Sequence, residues 1–308
     1  MARKKKGQPV HGWLVLDKPE GLTSTQALGK VRRILNAEKA GHGGTLDPLA
    51  TGILPIAMGE ATKTVSYVMD GAKRYRMTVR WGVQTSSDDA EGEVVATSDV
   101  RPSAAQIAAA LPAFEGEITQ VPPIFSAVKI QGRRAYDLAR AEQPVEITPR
   151  TVRIDSFRLV EMPDPDHAVF EVASGKGAYM RSLARDLSLA LGTVGHVAAL
   201  RRTACGPFDE GAAISLDKLE ELGHSAASAK IVLPVATALD DIPALAVTED
   251  EARRLQSGQS VSLLHTVLRS PLPAPPAGST VRAMAGDRVV ALARIDGGEV
   301  RPVRVLNL

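Results

Sequence analysis

Gly41-His42-Gly43-Gly44-Thr45-Leu46-Asp47-Pro48-Leu49-Ala50-Thr51-Gly52 is the most informative stretch of this chain. Four glycines and one carboxylate share it, and Pro48 follows the carboxylate directly. Glycine admits backbone conformations closed to other residues and lets a ligand come near the chain. Proline keeps the residue before it out of the helical region, so Asp47 is expected on extended or turn-like backbone. The pattern predicts a loop that holds one acid in a fixed pose beside something large. A mobile glycine-rich surface loop accounts less well for this order of residues.

Toward the N-terminus, Trp13–Leu16 reads as a short buried strand ending in a turn at Asp17-Lys18-Pro19-Glu20-Gly21. Thr23-x-x-Gln26 is a capping box opening a helix whose Ala27, Val31, Ile34 and Leu35 share one face. Toward the C-terminus, Tyr75, Met77, Val79 and Trp81 alternate with Arg74, Arg76, Thr78 and Arg80, the pattern of a half-buried strand. Ser86–Gly92 is a polar, acidic connection, and a strand near Val94 and Val95 is expected to pair back. Ser103-x-x-Gln106 opens a helix closed by Pro112, and Val121-Pro122-Pro123 cannot sit in a regular element. Ser126–Arg140 is expected to hold a strand, a turn at Gln131-Gly132 and a helix over Ala135–Arg140. Strands are predicted at Val152–Glu161 and Ala168–Ala173, then a helix over Tyr179–Leu191 with Gly192 as its C-cap. Strands and helices mix without a βαβ repeat, which favours an α+β class. A boundary is expected near residues 240–248, followed by a helix from Thr248-x-x-Glu251 to Gly258. After it come a proline-rich connection over Ser270–Gly278 and a small β-rich unit with turns at Gly286-Asp287 and Gly297-Gly298.

At 308 residues the chain can bury a sizeable core, and length alone favours two domains. Cys205 is the single cysteine, which excludes an internal disulfide and cysteine-rich zinc sites and suits a reducing cytoplasm. The six histidines lack metal-ligand spacing, and no apolar run has the length of a membrane span. Arg3-Lys4-Lys5-Lys6 lacks the apolar stretch of a signal peptide and reads as a basic tail. Net charge is only +2, yet residues 1–80 hold 14 Lys and Arg against 6 Asp and Glu. That asymmetry points to a polyanionic partner on one surface.

Asp47 has candidate companions in Lys18, His42, Tyr75, Tyr179 and Arg181. The last two begin a helix behind glycines, where backbone N–H groups favour anions. A carboxylate, a guanidinium and two aromatic rings suit a planar uncharged ring attached to phosphates. With Leu46-Asp47-Pro48 and Ala50-Thr51-Gly52, the glycine-rich segment resembles the catalytic motif of pseudouridine synthases of the TruB type. Asp17-Lys18-Pro19-x-Gly21, Lys73-x-Tyr75, Gly177-x-Tyr179-x-Arg181-x-Leu183 and Leu200-Arg201-Arg202 agree with it. So does Pro122-Pro123-x-x-Ser126-Ala127-x-Lys129 with Gly132-x-Arg134-Ala135-Tyr136.

The resemblance covers roughly residues 12–205. It implies a cofactor-free, metal-free enzyme that isomerises the uridine at position 55 in the TΨC loop of tRNA. By its terms Asp47 is the essential aspartate, Tyr75 stacks on the target base and is a candidate general base, and Arg181 ion-pairs with Asp47. Tyr179 and Leu200 line the uracil pocket, His42 helps evert the base, and Lys18 has a partly structural role. The implied fold is a mixed, largely antiparallel central sheet with flanking helices and a small C-terminal β-rich, PUA-like RNA-binding domain. The division expected is a basic tail at 1–10, a catalytic domain at 11–242 and the RNA-binding domain at 243–308. Gly43 stands where a threonine is usual, and Ala178 replaces a common threonine. The implied partner is tRNA, with no membrane and no guide RNA, and the implied state is a cytoplasmic monomer. Competing readings are a tRNA-binding and refolding protein, and a related synthase that works with a guide RNA.

Overall fold

The computed structural model describes residues 7–126, 129–130, 133–134, 147–223, 230–270 and 275–308. In chain order the first strands are β1 (Gly12–Lys18), β2 (Ala40–His42), β3 (Thr51–Met58), β4 (Lys73–Trp81), β5 (Val83–Thr85), β6 (Val94–Thr97) and β7 (Gly116–Gln120). There follow β8 (Lys129–Ile130), β9 (Arg133–Arg134), β10 (Arg150–Asp164), β11 (His167–Ser174), β12 (Gly195–Cys205), β13 (Phe208–Asp209) and β14 (Ile214–Ser215). Ten of these form one sheet with the path β14-β1-β3-β12-β4-β11-β10-β7, with β2 added to β3 and β13 to β12. Only β1–β14 and β3–β12 are parallel pairs. The sheet is therefore mixed and largely antiparallel, as the α+β reading requires.

β4 shows why the alternating pattern works. Lys73, Met77, Val79 and Trp81 are buried while Arg74, Arg76 and Arg80 face out. Both capping boxes near the N-terminus form, at Thr23 before the Ser24–Ile34 helix and at Ser103 before Ala104–Ala110. β5 and β6 pair as a small hairpin beyond the main sheet. The Met180–Ala190 helix buries Leu183 and Leu187 against the face of the sheet that carries Leu14, Leu54 and Met77.

The structure corrects several boundaries. Asp17 and Lys18 belong to β1 rather than to the turn, because β1 stays paired with β3 as far as Lys18↔Gly52. β3 begins inside the stretch read as a loop. Its Ile53–Met58 run is apolar on both sides because two cores cover it, one holding Leu54 and Ile56 and the other Ile53 and Ala57, so no alternation marks it as a strand. β7 and the central strand β12 were also not anticipated. In β12 two register shifts against β4, at Val197/Ala199 and Arg202/Ala204, break its period of two. Lys129–Ile130 is a strand as expected, whereas the turn at Gln131-Gly132 and the Ala135–Arg140 helix fall outside the described residues, as do residues 1–6 and 271–274.

The C-terminal strands β15 (Ala244–Ala246), β16 (Val261–Ser262), β17 (Thr280–Ala285), β18 (Arg288–Asp296) and β19 (Glu299–Val305) form a separate sheet ordered β15-β17-β18-β19-β16. Its Glu249–Gln256 helix starts at the Thr248 capping box. One face builds a core of its own around Leu245, Leu255 and Val281. From the other, Val289, Leu292 and Leu306 join Trp13, Val15, Ile53 and Phe208 on the back of the large sheet. Among the described residues no helix is long and apolar enough to cross a membrane.

Candidate active site

The segment between β2 and β3 is pinned from three sides. The Gly43 N–H donates to the Pro55 carbonyl at 2.8 Å. The Ser24 hydroxyl donates to the Leu46 carbonyl at 2.9 Å and accepts from the Leu46 N–H at 2.8 Å, fixing the residue before Asp47 to the first turn of a helix. Behind Pro48, the fully buried Lys18 ammonium donates to the carbonyls of Pro19, Leu22 and Pro48 at 2.8, 2.7 and 3.2 Å. Burial pulls Lys18 down to about 8, and the Asp47 charge opposes that most. Lys18 thus acts on the loop that carries Asp47, a structural task.

Gly52 ends the loop with φ +94°, and a Cβ there would lie 2.2 Å from the Arg202 carbonyl oxygen. Gly52→Ala is therefore expected to cost more than about 2 kcal/mol, combining left-handed strain with a forced opening between β3 and β12. Equilibrium urea denaturation checks this, and an unchanged midpoint would refute the close packing. At Gly43 a Cβ would meet Val68 Cγ1 at 2.9 Å, and Val68 is fully buried. Val68 thus fills the space beside residue 43, which accounts for the missing threonine. Ala178 has no such account.

Arg181 projects from the first turn of the Met180–Ala190 helix, and only 5% of its side chain is exposed. Its Nη2 lies 3.0 Å from Asp47 Oδ2 and donates to the Phe125 carbonyl at 2.8 Å. Its Nη1 donates to the Ser87 carbonyl at 3.0 Å and lies 3.5 Å from Asp89 Oδ2. Asp89 is itself buried and accepts from the Ser87 hydroxyl and the Glu91 N–H. The guanidinium therefore stands between two carboxylates, one in the core and one facing open space.

That space is a cleft of about 970 Å³, bordered by His42, Thr45, Asp47, Ser87, Asp89 and Arg181 among others. Burial pushes the Asp47 carboxyl above its usual range; Arg181 pulls it back most strongly, and Asp89 adds to the rise. Arg181 lowers it, but burial outweighs that effect. About a third of the Asp47 side chain (36%) still faces the cleft, so water softens this penalty until a ligand fills the space.

The structure gathers Asp47, Arg181 and His42 at the cleft, with Lys18 behind the loop. The other expected residues lie outside its lining. Tyr75 is half-buried against the core and borders a second, arginine-lined groove instead; burial pushes its phenol up and the Arg202 guanidinium pulls it down. Tyr179 caps the Met180–Ala190 helix. Its N–H donates to Gln120 Oε1 at 3.0 Å, and the Arg150 guanidinium lies 4.6 Å above its ring. Leu200 sits in β12 opposite Met77 as a core residue. Sequence reasoning did not single out Asp89, Ser24 or the role of Arg202. Asp89 lay in a segment that read only as an acidic connection, and nothing local marks its burial.

A second groove, about 660 Å³, is bordered by Arg74, Arg76, Arg158, Glu171 and Arg201. Its cations are largely answered by acids: Arg76 by Glu161, Arg158 by Glu171, and Arg201 by Asp17 and Glu210.

Comparison with known proteins agrees with the motifs. A family model described as the N-terminal domain of TruB family pseudouridylate synthase matches residues 32–180, and one described as the tRNA pseudouridylate synthase B C-terminal domain matches residues 181–240. The second match includes β12, which lies in the middle of the large sheet. A protein of Rhodospirillum rubrum named tRNA pseudouridine synthase B is 59% identical over the full length of both chains. One of Caulobacter vibrioides with the same name is 55% identical, again with both chains fully covered. Among solved structures, a Cbf5-Nop10-Gar1 complex aligns with a TM-score of 0.73 and 27% identity, covering 100% of this chain and 90% of the other. The archaeal box H/ACA sRNP Nop10-Cbf5 complex aligns with a TM-score of 0.72 and 26% identity, covering 99% and 92%. On its motifs, its fold and these matches, the chain belongs to the TruB family of pseudouridine synthases.

Proposed function

We propose that this chain isomerises the uridine at position 55 in the TΨC loop of tRNA to pseudouridine, with Asp47 as the essential group. The observation that carries this reading is the Asp47–Arg181 pair at 3.0 Å, held on a pinned loop at the wall of a cleft of about 970 Å³. The reaction detaches uracil from C1′, turns it and rejoins it through C5, with no net redox change. It needs an ionised carboxylate in a site from which water is excluded. As the substrate fills the cleft, desolvation works against that ionisation and Arg181 works for it.

The target base must leave its stack at a cost of a few kcal/mol, and stacking on an aromatic ring, worth about 1–3 kcal/mol, offsets much of this. His42 lines the cleft, which supports its part in everting the base. Tyr75 is the candidate stacking platform, with Tyr179 and Leu200 as further walls. None of the three lines the cleft, so a base that meets them must move side chains between it and them. The basic tail (1–10), catalytic domain (11–242) and C-terminal RNA-binding domain (243–308) then divide the work, in a cytoplasmic monomer. Full-length relatives at 55–59% identity bear the name tRNA pseudouridine synthase B, which favours action on tRNA without a guide RNA.

The test is tritium release from tRNA labelled at uridine C5, using purified chain and bare transcript, with the product mapped by carbodiimide-dependent primer extension. Release with a single stop at position 55 is expected, and no release, or product elsewhere, would reject the reading. Affinity should also be strongly salt-dependent. If the basic first eighty residues grip several phosphates, tRNA binding is expected to weaken at least about tenfold between roughly 50 and 200 mM salt. Filter binding checks this, and a flat response would remove the phosphate-gripping role.

A further inference from the structure

Arg202 is a buried cation, 2% exposed, with no carboxylate in ion-pairing range among the described residues. A guanidinium in such a place must spend its donors on other acceptors. All of the acceptors it finds on the main chain flank Asp47. Nη2 donates to the Gly44 carbonyl at 3.1 Å, Nη1 to the Thr45 carbonyl at 3.4 Å and Nε to the Ile53 carbonyl at 2.7 Å. The first two precede Asp47 and the third lies in β3 after it. Along the backbone, Arg202 pairs with Gly52 on one side and with Tyr75 on the other. Its guanidinium also acts on the Tyr75 phenol, pulling it down against the effect of burial.

We propose that Arg202 is the positioning residue that holds the Asp47 loop and Tyr75 at a fixed separation, so that a base entering the cleft meets both at once. A core role alone would be served by an apolar side chain. Here the planar fork aims Nε at the Ile53 carbonyl and its two Nη atoms at the Thr45 and Gly44 carbonyls, a spread of donors that a single ammonium does not reproduce. The inference rests on the assignment of Asp47 as the essential group.

The test compares wild type, R202K and R202M in single-turnover assays on tRNA with enzyme in excess, alongside tRNA binding and thermal melts. The rate is expected to fall about 100-fold in R202M and at least about tenfold in R202K, the scale of a misplacement near 1 Å, with binding changed by less than about threefold. R202K keeps the charge and is the deciding variant if R202M does not fold. A folded R202K with wild-type rate overturns the proposal, as does a parallel loss of binding and rate. A second readout separates positioning from loss of stability. With 3-fluorotyrosine at position 75, the phenol should titrate at higher pH in R202K, since a single ammonium replaces the fork beside it, and an unmoved titration would count against the contact. The two failures are distinguishable: activity in D47N rejects the assignment of Asp47, whereas an inactive D47N beside a fully active R202K rejects only the role of Arg202.

Discussion

Asp47→Asn is expected to lower pseudouridine formation by about 10⁴-fold or more, a barrier increase of about 5.5 kcal/mol, while tRNA binding stays within a few-fold. The substitution is nearly isosteric, and the amide oxygen can still accept from Arg181. Arg181 would keep Asp89 and the carbonyls of Ser87 and Phe125 as partners, so the loop should stay in place. Burial already works against the Asp47 charge, so its removal leaves little net change in stability. The loss is therefore expected in chemistry alone. Tritium release at the wild-type rate from a folded D47N would remove Asp47 from the mechanism. The same variant tests the chaperone reading, because a tRNA-refolding protein would retain its RNA-remodelling activity.

Arg181→Met is expected to damage both fold and chemistry. Removing one member of a buried ion pair costs about 3–5 kcal/mol, because the remaining charge is left uncompensated. Asp89 carries most of that cost, being buried, whereas Asp47 is partly open to the cleft and contributes less. The carbonyls of Ser87 and Phe125 also lose their donor. On the chemical side, Arg181 is the strongest influence holding the Asp47 carboxyl down, so its loss moves that carboxyl further up. The ionised form then becomes scarce at a higher pH, and the rate should fall most at low pH and recover partly as pH rises. The acid limb of the single-turnover pH–rate profile is expected to move upward by about 1–3 units. Arg181→Lys should return the limb toward its original position without restoring the full rate, since one ammonium cannot serve two carboxylates and two carbonyls. An acid limb unmoved in a folded R181M would contradict the electrostatic role.

Much of this architecture was legible because local rules governed it. The capping boxes at Thr23, Ser103 and Thr248 each start a helix, and the arginine alternation of β4 marks an exposed face. β3 and β12 were hidden for tertiary reasons. β3 lies between two cores and shows no alternation, and the register shifts in β12 displace its side chains from a simple period. The site divided in the same way. Asp47 and Arg181 were visible through motif and residue type, and they meet as expected. Asp89 and Arg202 act through burial and through contacts with Arg181 and with Gly44 and Thr45, residues far away in sequence, which no local pattern encodes. Gly43 is the reverse case: a departure at one position that makes sense only beside Val68.

The most direct measurement is a structure of the chain with a TΨC stem-loop carrying 5-fluorouridine at position 55. An everted base is expected in the Asp47 cleft, with an Asp47 carboxylate oxygen within about 3.5 Å of a sugar or base carbon, Arg181 still beside it and Tyr75 against the base. A base that stays stacked in the loop, or that lodges in the arginine-lined groove bordered by Arg74 and Arg158, would contradict it.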